Sequence, residues 1–261
     1  MGGRSAIALL LLPAALFAGC RPDAQVATPR PPVILISLDT LRADALSAQT
    51  TPHLARLAAA SVRFSSALTE VAFTLPAHMT MLTGSAPDVH GVSSREDRLG
   101  LGQPTLAEML GRAGYATAAV VSSDWLSKGF GFGRGFDSYQ EIDLGSSFAL
   151  RVRRRALATL DRLTATGQPP FLFVHFYDAH SDTEQGGNRR PYWAPPEESA
   201  ELPATCLKGA CAPEGRCATG YLLWANHHPD EVSTRDRECL LSSYLAGVRA
   251  LDSGVGELLA G

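Results

Sequence analysis

An α/β fold, with a mostly parallel central sheet sandwiched by helices, is what this sequence predicts, and three stretches carry the prediction. Val33-Ile34-Leu35-Ile36-Ser37-Leu38 is an almost unbroken apolar run, the pattern of a strand buried on both faces as parallel strands are. Phe173-Val174-His175-Phe176-Tyr177-Asp178-Ala179-His180 reads as another strand and its exit loop, with His175 and Tyr177 on one face. Leu241, Tyr244, Leu245, Val248, Leu251, Val255 and Leu258 recur close to helical spacing and form one apolar face. With 45% apolar residues in 261, the chain can build one sizeable core, and it shows no repeats, heptads or second domain.

In chain order, the first element is an export signal. Met1-Gly2-Gly3-Arg4 is a short positive region, and Ala6 to Phe17 is apolar and rich in leucine and alanine. That run is too short to span a bilayer and ends in small residues, so residues 1–19 read as a signal peptide. Phe17-Ala18-Gly19-Cys20 resembles a bacterial lipobox, which would make Cys20 the lipidated first residue of an exported, membrane-anchored lipoprotein facing the periplasm or cell surface. Arg21 in place of aspartate fits outer-membrane sorting. Ordinary signal-peptidase cleavage, leaving Cys20 free, is the alternative. Residues 20–31, rich in proline and alanine, form a flexible tether, and the folded part begins at residue 32.

Asp39 stands at the carboxyl end of the first strand, where open α/β sheets gather their ligands. A carboxylate there is a hard ligand for a divalent cation, or a loop aspartate capping the next turn. Further on, Thr74 precedes Pro76 by two residues in Ala72-Phe73-Thr74-Leu75-Pro76-Ala77-His78. Proline is favoured in a first helical turn, which puts Thr74 just ahead of a helix N-terminus. Free N–H groups and the helix dipole favour an anion there. The position suits a nucleophile attacking a sulfate or phosphate ester, and equally a plain threonine N-cap.

The middle of the chain is less informative. Gly129 to Asp137 is glycine-rich but follows no nucleotide-binding pattern. Arg151-Val152-Arg153-Arg154-Arg155 reads as the solvated face of a helix, and a net charge of −3 on an exported chain argues against nucleic acid. Ser181 to Arg237 is rich in proline, glycine and charge, and long insertions at this point of an α/β sheet shape the substrate mouth. With Cys20 set aside, Cys206, Cys211, Cys217 and Cys239 are an even number with no Cys-x-x-Cys pair. In an oxidising compartment they predict two disulfides pinning residues 181–237, with three pairings open.

Taken in order, these segments resemble the sulfatase family of the alkaline phosphatase superfamily. Thr83-Gly84, His90-Gly91-Val92, Gly114-Tyr115-Ala116-Thr117-Ala118 and Gly135-Phe136-Asp137 follow the Thr74 segment as they do in that family. The resemblance covers residues 32–261 apart from the insertion. It implies a helix over Thr51 to Ala58, a second strand at Val62-Arg63-Phe64, and one divalent metal (Ca2+, Mg2+ or Mn2+ in preference to Zn2+) held partly by Asp39 and Thr74. It implies further that Thr74 is the nucleophile, and that His180, from the family's His-x-x-Asp-Pro-His segment, holds a substrate oxygen or assists the leaving group. His78, at the motif's arginine position, is either an oxyanion contact or a structural hydrogen bond. His175 is either a substrate contact or a packed core histidine.

The departures sharpen the expectation. Thr74 replaces the cysteine or serine that the family oxidises to formylglycine, and a threonine so oxidised would give a ketone, so no formylglycine is expected and the branch with a plain hydroxyl nucleophile is implied. Thr40 replaces the second aspartate of the family's pair, and Val121-Ser122-Ser123-Asp124 stands where a lysine and a histidine are usual. The family's later Asp-His or Asp-Asn metal pair is absent. The chain therefore reads as the N-terminal portion of a catalytic domain, incomplete at its metal site, with a C-terminal helix that has no sheet to cover. The expected function is metal-dependent hydrolysis or transfer of sulfate or phosphate esters on a small molecule or glycan, for a longer protein. The alternatives are an inactive lipoprotein that at most binds anionic glycans, or a two-zinc phosphodiesterase of the same superfamily.

Overall fold

The computed structural model describes residues 30–142, 148–181, 192, 200, 202, 206, 211, 212, 215 and 217–260. The expected signal peptide, Cys20, most of the expected tether and much of the expected insertion lie outside the described residues. Strands β1 (Val33–Leu38), β2 (Ala116–Val121), β3 (Ser138–Glu141) and β4 (Pro170–Phe176) form one sheet, parallel throughout, in the order β1-β4-β2-β3. Every residue of β2 and β4 is buried, which is why both read as unbroken apolar segments. The expectation that β1 is buried on both faces is corrected. It is the outer strand of the described sheet, and Ile34 is 37% exposed.

The helices are α1 (Pro52–Ala59), α2 (Thr74–Thr83), α3 (Pro87–His90), α4 (Leu106–Arg112), α5 (Phe148–Thr164), α6 (Thr219–His227) and α7 (Thr234–Ala260). Alternation along β4 assigns them to two faces. Phe171 and Phe173, with Ala119 and Val121 of β2, pack against Leu75, Met79 and Leu82 of α2 and Ala107 of α4. Leu172, Val174 and Phe176, with Ala118 and Val120, pack against Val152, Ala156 and Leu163 of α5 and against Tyr244, Val248, Leu251, Val255 and Leu258 of α7. Each fully buried side chain of this kind contributes about 1.5–3 kcal/mol, so α2 and α7 are both fixed firmly against the strand ends. The apolar face of α7 is thus covered by the sheet and by α5, contrary to the expectation. Only its first member, Leu241, stays 49% exposed.

The strand expected at Val62-Arg63-Phe64 does not form. Val62 and Phe64 are 81% and 80% exposed, and residues 60–73 carry no strand. Apolar alternation makes a strand only where a neighbour supplies ladder hydrogen bonds, and no described strand lies beside this segment. The loop after β2 depends on Gly135, whose φ is +82° and whose added Cβ would lie 2.2 Å from the Glu108 nitrogen. The structure also selects one of the three disulfide pairings. Cys206 is bonded to Cys239 of α7 and Cys211 to Cys217, with Cα separations of 5.2 and 4.1 Å. Among the described residues, no helix is long and apolar enough to cross a membrane.

Candidate active site

Asp39 extends the β1 ladder by one bond, its N–H donating to the Phe176 carbonyl at 3.0 Å, so it sits at the carboxyl edge of the sheet beside β4. The chain then turns through Thr40 at φ +56°. A β-branched residue rarely adopts that backbone, at a cost of about 1–2 kcal/mol. Tyr244, from α7, holds the turn. Its hydroxyl accepts from the Arg42 N–H at 2.8 Å and donates to the Thr40 carbonyl at 3.0 Å. The Thr40 hydroxyl donates to the Asp39 carbonyl at 2.8 Å.

Thr74 is the first residue of α2 rather than the residue ahead of it. Phe73 is the N-cap, extended at φ −141° and ψ 133°, and no side chain caps the helix. The Thr74 hydroxyl turns away from the helix and donates to Asp39 Oδ2 at 3.1 Å, across 35 positions of sequence. This separates the two sequence readings, because a capping threonine would spend its oxygen on its own helix. The first intrahelical bond runs from Ala77 N–H to the Phe73 carbonyl, and Pro76 has no N–H. The amides of Thr74 and Leu75 therefore precede the ladder, at the positive end of the helix dipole.

Two histidines back this pair. His175, opposite Ser37 in the β1–β4 register and fully buried, lies with Nε2 3.3 Å from the same Asp39 oxygen. Its Nδ1 has no hydrogen-bond partner among the described residues. His78 has both ring nitrogens engaged. Nδ1 donates to the Thr74 carbonyl at 2.8 Å, which leaves Nε2 to accept from the Ser37 hydroxyl at 2.7 Å. Its ring stands edge-on to His175, 5.1 Å between centroids. Burial, and then the charge of His175, push the His78 imidazole down to about 4, so it is neutral at pH 7. Burial would raise the Asp39 carboxyl, but the His175 hydrogen bond and the positive potential of His175, His180 and His78 outweigh it and hold the group below its ordinary value.

The structure thus brings Asp39, Thr74, His78 and His175 into one hydrogen-bonded cluster. His78 serves the structural half of its expectation, bracing the Thr74 backbone from behind. His180 lies outside the cluster: it stacks on Tyr177 at 4.2 Å, and its Nδ1 bonds the Ser181 carbonyl at 2.6 Å. Its charge still reaches Asp39. Three contributors were missed by sequence reasoning. Ser37 could have been found, since it lies two residues before Asp39 on a strand and so on one face. Ser122, whose hydroxyl donates to the His175 carbonyl at 3.0 Å, and Tyr244, about 200 positions from its partners, left no local signal.

A sheet edge with an aspartate, a helix-terminal hydroxyl and a following histidine loop agrees with the family comparison, in which the sulfatase model matches residues 31–261. The chain belongs to the sulfatase family. No curated protein matches it. Among solved structures, this sulfatase-family chain resembles BT4656 in complex with its substrate D-glucosamine-2-N,6-O-disulfate, at TM-score 0.60 and 17% identity, covering 89% of this chain and 62% of that one. It resembles the phosphonate monoester hydrolase of Agrobacterium radiobacter at TM-score 0.59 and 19% identity, over 88% and 59%. The lipoteichoic acid synthase LtaP of Listeria monocytogenes follows at TM-score 0.54 and 15% identity, over 88% and 51%. These likenesses show the shared α/β fold, and the chain spans between about half and three fifths of the length of those structures.

Proposed function

We propose that this chain carries the nucleophile half of a site that hydrolyses or transfers sulfate or phosphate esters, with the unmodified Thr74 hydroxyl as the attacking group. The observation that carries the reading is the Thr74–Asp39 hydrogen bond at the positive end of α2 and the carboxyl edge of a parallel sheet. Family membership and the ester chemistry named for two structural neighbours support the same reading, for sulfated or phosphorylated small molecules or glycans.

Asp39 orients Thr74 but cannot serve as its base. An alcohol hydroxyl is a far weaker acid than a carboxylic acid, and the Asp39 carboxyl is held below even its ordinary value. Proton transfer from Thr74 to Asp39 is therefore strongly uphill. Asp39 therefore remains ionised and fixes where the hydroxyl points. Among the described residues there is no cluster of three His, Cys, Asp or Glu side chains that could hold a metal. The oxygens present, a carboxylate and a hydroxyl, fit a hard cation such as Ca2+, Mg2+ or Mn2+ as part of its shell, and suit zinc less. A divalent ion held there supplies positive charge that lowers the pKa of the Thr74 hydroxyl and offsets charge on the ester oxygens. The proposed role of His180 is to meet an ester oxygen, which is supported by its position on the wall of the cavity beside the Asp39 turn.

Export as a lipoprotein anchored through Cys20 belongs to the same proposal, supported by the signal-like N-terminus. The test of the site compares Thr74→Ala with the unsubstituted residue, both in the full-length protein, on 4-nitrophenyl phosphate and 4-nitrophenyl sulfate, with Mg2+, Mn2+ or Ca2+ supplied. Turnover is expected to vanish in the variant while its melting temperature holds. Turnover that survives Thr74→Ala removes Thr74 from the role.

A further inference from the structure

A cavity of about 430 Å3 opens beside the Asp39 turn, within the size range of small-molecule sites. Its walls come from elements the ester chemistry does not use. Tyr192 and Leu222 come from the insertion, and Arg237, Leu240, Leu241 and Tyr244 from α7. Thr40 and His180 line its inner side. Thr40 directly follows Asp39, and its turn is held by Tyr244 of the cavity wall, so the cavity opens next to the proposed site.

Three features describe its occupant. The rings of Tyr192 and Tyr244 meet edge to face at 5.5 Å between centroids, giving a rigid aromatic corner. Leu241 lies on the apolar face of α7, yet it is 49% exposed where the rest of that face is covered by the sheet. Arg237 donates to the carbonyls of Val232 and Pro229 and forms no ion pair among the described residues, and Arg42, which is paired with Asp44, also lines the wall. An apolar corner with a positive rim suits an organic ring that arrives attached to an anion.

Resting on the proposed ester chemistry, we infer that this cavity is a specificity subsite for the alcohol portion of the ester, and that it selects ring-bearing alcohols over small aliphatic ones. Cys206–Cys239 ties the insertion to α7 two residues after Arg237 and just before Leu240 and Leu241, so both walls are fixed to one another. The aromatic corner also shares Tyr244 with the strained Thr40 turn, so an occupant would press on the residue that holds Asp39 in place.

The experiment measures dissociation constants by calorimetry for two probes, methyl phosphate and 4-nitrophenyl phosphate, in Thr74→Ala and in Thr74→Ala carrying Leu241→Trp. Both probes carry the same anion, and the Thr74→Ala background keeps both intact. Leu241 is half exposed, so the tryptophan fills the cavity without entering the core. The expected result is that 4-nitrophenyl phosphate binds at least tenfold more tightly than methyl phosphate, and that Leu241→Trp abolishes this preference while leaving methyl phosphate unchanged. Equal affinities without Leu241→Trp, no binding of either probe, or a preference that survives Leu241→Trp would each overturn the subsite. Failure of the nucleophile reading shows elsewhere, as turnover that persists in Thr74→Ala, and leaves this binding comparison able to stand or fall alone.

Discussion

Acidification should weaken this fold through His78, and its share can be separated from that of His90, which burial also holds below its ordinary value, by comparing two chains that differ only at position 78. In the folded chain the imidazole is pushed from 6.5 down to about 4, first by burial and then by the neighbouring His175. The unfolded chain takes up a proton near 6.5, and the folded chain resists until about 4. Stability from keeping His78 neutral is therefore complete above pH 6.5 and is lost as pH falls through about 4. The shift of about 2.5 units corresponds to about 3 kcal/mol, at 1.36 kcal/mol per unit. That is a large share of the 5–15 kcal/mol typical of a domain, taken as roughly the whole margin.

The assay is urea unfolding at pH steps between 7.5 and 4, with disulfides intact, for the parent chain and His78→Asn. Asparagine can still donate to the Thr74 carbonyl from the position of Nδ1, but it does not titrate. The stability difference between the two chains should change by about 3 kcal/mol across the window, steepening toward a limit of about 1.4 kcal/mol per pH unit. Asp39 does not confuse the result. Its carboxyl is held below the ordinary 3.8, so its own contribution is present above 3.8 and disappears only at more acid pH. A pH-independent difference, or an imidazole resonance of His78 titrating near 6.5, would refute the burial argument and the assignment of His78 as a neutral brace.

Other predictions follow from single contacts. Tyr244→Phe deletes a donor and an acceptor at once, leaving the Arg42 N–H and the Thr40 carbonyl without their partner; a loss of about 2–3 kcal/mol is expected, read as a lower melting temperature, and an unchanged melting temperature would show the left-handed turn at Thr40 to be self-supporting. Gly135→Ala places a methyl group against the Glu108 backbone at φ +82°, and should cost about 3–4 kcal/mol from clash and backbone strain together; calorimetry showing less than 1 kcal/mol would contradict the packing of α4 on this loop. Cys20→Ser should release the protein from the membrane fraction of expressing cells, and continued membrane association would count against lipidation.

What the sequence disclosed of the fold was its interior. β4 shows every residue buried, and its apolar run says so directly, while alternation along it separates Phe173 and His175 from Val174 and Phe176 without any structure. The edges were harder. Val33 to Leu38 has the composition of a central strand, but strand order is decided by which loops cross where, and no local residue encodes that. Val62-Arg63-Phe64 has the alternation of a strand and none of the neighbours. Composition reports what a segment could bury, whereas position in the sheet decides whether anything is there to bury it against.

The site divides along the same line. Asp39 and Thr74 were legible because each sits at an element boundary with its own signature, a strand end and a proline-marked helix start. Their meeting was not legible, because it depends on α2 crossing over β1 and β4 to bring position 74 against position 39. His175 shows how far a burial argument can mislead when taken alone. Full burial is what a packed core histidine would show, and His175 is fully buried. Yet burial beside an ionised carboxylate strengthens their interaction, since the low local dielectric that penalises an isolated charge also strengthens a paired one. Complete exclusion from solvent leaves His175 Nε2 3.3 Å from Asp39 Oδ2, and that hydrogen bond helps to hold the Asp39 carboxyl below its ordinary value. His180, only partly buried and better matched to a family motif, makes no direct contact with Asp39 and reaches it only through its charge.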